Sequence, residues 1–160
     1  MRGPVNYARL DTAIGPLLIV GDDAGLRQLT FDGHPDAEWH EDPTALATAL
    51  TQLREWFAGE REVLDLPSAA AGTPFQTLVW AQLSTIPYGT TTTYAALARA
   101  LGKPGAARAV GLANGANPLA VLCPCHRVLG ANGSLSGYAG GLHRKQWLLT
   151  HESRQPGLPF

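Results

Sequence analysis

Cys125 and His126 stand side by side in the run Leu122-Cys123-Pro124-Cys125-His126-Arg127-Val128. A thiol is a poor nucleophile until it ionises, and its ordinary pKa of about 8.5 must be lowered by a base, a cation or a dipole. His126 is the base at hand. Neighbours in a regular strand point to opposite faces, so contact between the two needs a turned backbone or a bridging water, and Pro124 gives a reason for the turn. A base works better when its second nitrogen is held by an acid. Beyond residue 72 the chain has a single carboxylate, Glu152, which makes it the natural partner for His126. An acid near a helix C-terminus is badly placed for the helix dipole, so something local must compensate it. His143 and His151 are also available as bases, but no nucleophile lies beside them in sequence.

Other readings of the same residues stay open at this level. Both cysteines could be buried small hydrophobes. A metal held by Cys123, Cys125 and His126 is disfavoured, because side chains so close rarely wrap one tetrahedral ion and no second cysteine pair exists. Of the two thiols, Cys125 reads as the nucleophile and Cys123 as a buried strand residue.

The 160-residue chain carries a net charge of −1 that hides an asymmetry. Residues 1–72 hold five basic and twelve acidic side chains, a net of −7, and residues 73–160 hold seven basic and one acidic, a net of +6. Two units with different partners fit this split, the second suited to a polyanion; neutralisation between the halves fits it equally. At 45% hydrophobic and 16% charged residues, wholesale disorder is excluded. No apolar run approaches the roughly 18 residues of a membrane span, and the N-terminus lacks a signal-peptide pattern, so the expected location is cytoplasmic. Two cysteines one residue apart exclude a disulfide framework.

The elements that must position the chemistry follow from pattern. Runs at 5–10, 16–20 and 26–31 read as strands, with a hairpin turn at 22–25 and a loop at 34–42. Asp42 and Pro43 open a helix that ends at Gly59, with Leu46, Leu50, Leu53 and Phe57 at helical spacing. A linker spans 66–72. Thr73 and Pro74 start a second helix with Phe75, Leu78, Val79 and Leu83 on one face. Helices at 92–101 and 106–114, joined by Gly102 to Gly105, give a helix-turn-helix pattern. An apolar strand-like run covers 119–122, and a last helix covers 142–150. In the run Ala106-Ala107-Arg108-Ala109-Val110-Gly111 of the second of these helices, Arg108 is the only long side chain among small ones. Such a face suits close approach to a minor groove with one inserted cation, hence recognition of shape and backbone.

Pro124-Cys125-His126-Arg127-Val128, with Asn117-Pro118 before it and Gly137-Tyr138-Ala139-Gly140-Gly141 after it, resembles the methylated-DNA–protein-cysteine methyltransferases. The similarity extends through Gly72-Thr73-Pro74-Phe75-Gln76, Ile86-Pro87-Tyr88-Gly89, Arg108-Ala109-Val110-Gly111 and Trp147-Leu148-Leu149 with His151-Glu152. It covers residues 73–152, and more loosely the first half. The resemblance implies an α+β chain: residues 1–72 a ribonuclease-H-like support domain of small antiparallel sheet plus helix, and residues 73–160 a helical, winged-helix-like domain with a helix-turn-helix that binds DNA and transfers alkyl groups. It implies an enzyme of DNA repair that moves the alkyl group of O6-alkylguanine, or O4-alkylthymine, irreversibly to its own Cys125 after base flipping, once per molecule and without a cofactor. Cys125, His126, Glu152, Asn117 and Tyr94 would be the catalytic set, and Tyr94, Arg108, Ala107, Gly111 and Lys103 the DNA contacts. Val128, Ser134, Tyr138 and Gly140 would line the base pocket. The partner would be double-stranded DNA with alkylated bases, bound by a monomer, with cooperativity on DNA open, and with no membrane and no metal; residues 1–72 contain no cysteine for the zinc that some relatives carry. Where the family has an aliphatic residue two before the reactive cysteine, this chain has Cys123. Two other classes compete: a lesion-binding module without transfer, against which Cys125 argues, and a Cys-His hydrolase, which would turn over.

Overall fold

The computed structural model describes residues 3–135 and 137–153. They gather into two compact units, one of Met1–Ala71 with Pro118–Leu122, the other of Gly72–Asn117 with Cys123–Phe160.

In the first unit β1 (Asn6–Thr12), β2 (Gly15–Asp22) and β3 (Gly25–Phe31) form an antiparallel meander. β2 is central, and its Leu17-Leu18-Ile19-Val20 run is buried without alternation, the mark of a strand covered on both faces. Gly25 closes the hairpin at φ +138°, where an added Cβ would lie 2.5 Å from the Pro67 carbonyl oxygen, so only glycine fits. The expected loop contains a fourth strand, β4 (His40–Glu41), parallel to β1. Its two exposed polar residues carry no apolar pattern; it is held by backbone bonds such as His40 N–H to Val5 C=O at 3.0 Å.

The first helix, α1, spans Ala47–Phe57 and starts later than its sequence signal. Asp42 accepts a hydrogen bond from Ala45 N–H at 3.0 Å, and Leu46 and Ala47 donate to Pro43 and Thr44, so the capping chemistry builds a turn before the helix proper. Its buried face is Ala49, Leu50, Leu53 and Trp56, with Phe57 only half-buried. Residues 119–122 do not form the expected strand. Leu119 makes an isolated parallel bridge to Leu29, Ala120 N–H donates to Leu29 C=O at 3.1 Å, and Val121 then turns to φ 71°, a strained setting for a β-branched residue.

The second unit opens with α2 (Pro74–Leu83). Thr73 and Gln76 make a reciprocal capping box at 3.1 and 3.0 Å. Gly72 packs so tightly on Trp80 that a Cβ would lie 2.5 Å from the indole. Val79, Trp80 and Leu83 are the buried face, whereas Leu78, expected inside, is 44% exposed. The aromatic ring takes the inward position because its indole N–H can donate to Ala113 C=O at 2.9 Å. β5 (Thr92–Thr93) leads into α3 (Tyr94–Ala100), capped by Thr93. A turn with Gly102 at φ +71° then leads to α4 (Ala107–Gly115), completing the helix-turn-helix. β6 (Val128–Leu129) pairs in parallel with β5, and α5 (Leu142–Ser153) closes the unit. The result is the α+β class: a sheet with one helix, then a helical unit with a two-stranded ribbon.

Candidate active site

Every residue expected from sequence to be catalytic lies in the second unit. Cys125, His126 and Arg127 occupy a single 3-10 turn directly after Pro124, and all three are buried. This turned backbone takes the place of the expected strand end. The His126 ring is fully buried, and its Nε2 lies 2.7 Å from Glu152 Oε2. An ionised carboxylate only accepts, so Nε2 carries the proton and Nδ1 the lone pair. Glu152 belongs to the last turn of α5 itself, since the helix runs on to Ser153.

The compensation that Glu152 requires comes from the Arg127 guanidinium. Arg127 Nη2 donates to Oε2 at 2.7 Å and Nε to Oε1 at 2.8 Å, while Nη1 donates to Ile86 C=O at 2.7 Å. The Tyr88 ring lies 5.7 Å from the guanidinium carbon. Burial alone would raise the Glu152 carboxyl, but the bonds to His126 and Arg127 prevail and hold it at about 2. For His126 burial prevails instead and pushes its pKa down, against the pull of Glu152. The imidazole is therefore kept neutral and oriented, the state in which it can accept a proton.

Burial also raises the Cys125 thiol, opposed by a hydrogen bond from Asn117 and by the charge of Lys145. Asn117 Nδ2 donates to Cys123 C=O at 2.8 Å, so this side chain braces the backbone that leads into the Cys125 turn. Lys145, on α5, is fully buried; burial lowers its pKa to about 8, and the facing Cys125 resists that fall. Cys123 is pushed to about 12 by burial and by Cys125, against a hydrogen bond from Ser84. The two thiols are thus unequal, and Cys125 is the one served by a cation and an amide.

The remaining expected residues fall into two groups. Gly111 faces the Tyr94 ring, where an added Cβ would meet it at 3.8 Å, and a Cβ at Gly137 would meet the Tyr94 hydroxyl at 4.0 Å. Val128 is fully buried beside the turn. The Tyr138 hydroxyl is buried with no hydrogen-bond partner among the described residues, its pKa raised by burial and by Cys125. Gly140 C=O accepts from Arg144 at 3.0 Å, and Ser134 sits exposed on a turn, its hydroxyl on Ala131 C=O. Ser136, between the expected pocket residues Ser134 and Tyr138, lies outside the described residues. Lys103 and Arg108 are exposed and Ala107 is half-buried, on the turn and first part of α4.

Three participants are absent from the sequence reading. Arg127 is one; the isolation of Glu152 in a basic half was the available signal. Lys145 is another, and its spacing to Leu148, Leu149 and Glu152 places it on the buried stripe of α5. Asn114, buried on α4, donates to the Cys125 carbonyl at 3.4 Å. Among the described residues no group of three or more His, Cys, Asp or Glu side chains is placed to hold a metal ion, and no helix is long and apolar enough to cross a membrane.

A helix-turn-helix unit with a buried Cys/His/Glu/Arg cluster defines a nucleic-acid-binding fold built around an activatable thiol. Residues 74–154 match the model of the 6-O-methylguanine DNA methyltransferase DNA binding domain, and residues 5–70 match that family's ribonuclease-like domain. The chain belongs to the 6-O-methylguanine DNA methyltransferase family. It is 59% identical to a methylated-DNA–protein-cysteine methyltransferase of Shigella flexneri, over 90% of this chain and 93% of the relative. It is 48% identical to the protein of that name from Mycobacterium tuberculosis, over 95% of each. Among solved structures, the M. tuberculosis OGT in complex with DNA superposes with a TM-score of 0.88 at 47% identity, covering 95% of this chain and 96% of the other.

Proposed function

We propose that this chain repairs DNA by transferring the alkyl group from O6 of guanine, or O4 of thymine, irreversibly onto its own Cys125. The observation that carries the reading is the buried His126–Glu152 pair at 2.7 Å, with His126 in the same turn as Cys125 and both within the region matched by the DNA-binding domain. The Cys125 proton passes through a water to Nδ1 of His126, and Glu152 stabilises the imidazolium that forms. Lys145 and Asn117 stabilise the thiolate. The S–C bond forms as the C–O6 bond breaks, the electron pair returns to guanine, and the Tyr94 hydroxyl supplies the proton the base then needs. The step balances without a cofactor. A thioether does not hydrolyse, so each molecule acts once.

The reacting oxygen lies inside the duplex stack, so the base must be extruded. In this reading Arg108 fills the gap, while Tyr94, Lys103, Ala107 and Gly111 contact DNA. Val128, Ser134, Tyr138 and Gly140 line the base pocket, where the unpartnered Tyr138 hydroxyl offers a polar group to the base edge. The first unit, residues 1–72 in the sequence division, acts as support. The chain works as a monomer in the cytoplasm on duplex DNA bearing alkylated bases.

The test is stoichiometry. Duplex containing O6-methylguanine in tenfold excess over protein should lose one methyl group per protein and no more. Continued turnover would mean a hydrolase, and tight binding with no loss would mean a lesion sensor.

A further inference from the structure

α4 has two faces. Val110, Ala113 and Asn114 are buried against the unit, while Arg108, Ala109, Leu112, Gly115 and Ala116 are exposed. Residues 108 and 112 are four apart and so stand one above the other on the outer face. Around them are only alanine and glycine, so Arg108 and Leu112 are the two side chains that project. Leu112 is 72% exposed. A single exposed leucine on an arbitrary surface needs no explanation. This one lies one turn from the sole long cation of the second helix in a helix-turn-helix. Its unit has a net charge of +6 over residues 73–160 and matches a DNA-binding domain. A lysine there would add affinity for any phosphate backbone and make it salt-dependent. A leucine adds none of that; it adds an apolar contact of the kind that wedges against base steps in a minor groove.

We infer that Leu112 is a DNA-contacting residue that supplies an apolar, salt-independent part of duplex binding beside Arg108. This rests on the function proposed above and names a further residue for the same surface. Leu112 buries its side chain against the sugars and base edges that Arg108 opens, so its effect belongs to duplex engagement and not to the chemistry at Cys125.

The test compares wild type, Leu112→Ala and Leu112→Met. Dissociation constants for duplex containing O6-methylguanine are measured over a range of salt with each protein in a Cys125→Ser background, so that the lesion persists, and alkylation of the proteins with Cys125 intact by the free base O6-methylguanine is measured alongside. Leu112→Ala should bind the duplex about tenfold more weakly at every salt concentration, with an unchanged salt slope. Leu112→Met should bind near wild type, and free-base alkylation should be equal in all three. Unchanged duplex affinity for Leu112→Ala would overturn the inference. So would an equal loss of free-base alkylation, because the substitution would then act through the fold. A wild-type chain that binds duplex without accepting its methyl group would overturn the transfer reading, while the affinity ratio of the variants would still decide the role of Leu112.

Discussion

Lys145 and Glu152 lie seven residues apart on α5, two turns along one stripe, and both are buried, one beside Cys125 and the other on His126. A single helix face therefore brings a cation to Cys125 and an anion to His126. The cation favours the thiolate and the anion favours the imidazolium, so the pair stabilises the charges that appear when the proton leaves Cys125.

Lys145→Met removes the cation while keeping most of the side-chain volume. The Cys125 thiol, already raised by burial, then rises further, and less thiolate is present at neutral pH. Transfer from methylated duplex should slow about tenfold at pH 7, and the rate–pH profile should move up by about one unit. An unmoved profile would mean that Lys145 is structural only.

Glu152→Gln probes the other end of the stripe. The Glu152 carboxyl ionises at about 2, below its ordinary 4.5, so its contribution to stability is complete above pH 4.5 and is lost as pH falls towards 2. The variant should be less stable at neutral pH by about 3 kcal/mol, because Arg127 is left buried without its carboxylate. The gap between the two proteins in urea denaturation should close as pH falls from 4.5 to 2. A gap that is constant with pH would contradict the linkage.

Thr73 tests the foundation of the second unit. The capping box satisfies two backbone groups at the start of α2, the helix whose Trp80 holds α4 through the Ala113 carbonyl. Thr73→Ala should cost about 1 kcal/mol and Thr73→Ser much less, read as a shift in urea midpoint. Equal midpoints for both variants would show that the box carries no weight.

Local signals were legible where side chain and backbone act within one turn. Thr73-Pro74 announces α2 because a hydroxyl and a ring fix the first turn, and Gly102 marks the break in the helix-turn-helix. Asp42-Pro43 carries the same kind of signal yet makes a turn, because its hydrogen bond closes onto Ala45, three residues on, and leaves Leu46 without a side-chain cap. Which of Leu78 and Trp80 points inward depends on a carbonyl of another helix, which periodicity does not contain. Leu119 joins the edge of β3, ninety residues back in the chain, and no local pattern records that. In the site, the isolation of Glu152 pointed to His126, but a lysine reads as surface by habit, and only its register with Leu148 and Leu149 places Lys145 inside.

The proposed mechanism turns on Cys125 as the alkyl acceptor. Incubation with excess duplex bearing one O6-methylguanine, followed by intact mass and peptide mapping, tests it directly, with Cys125→Ser alongside. The wild type should gain one methyl group on the peptide carrying Cys125 and leave guanine restored in the DNA, and the variant should gain none. A methyl group on Cys123, or none on the protein while the lesion persists, would contradict it.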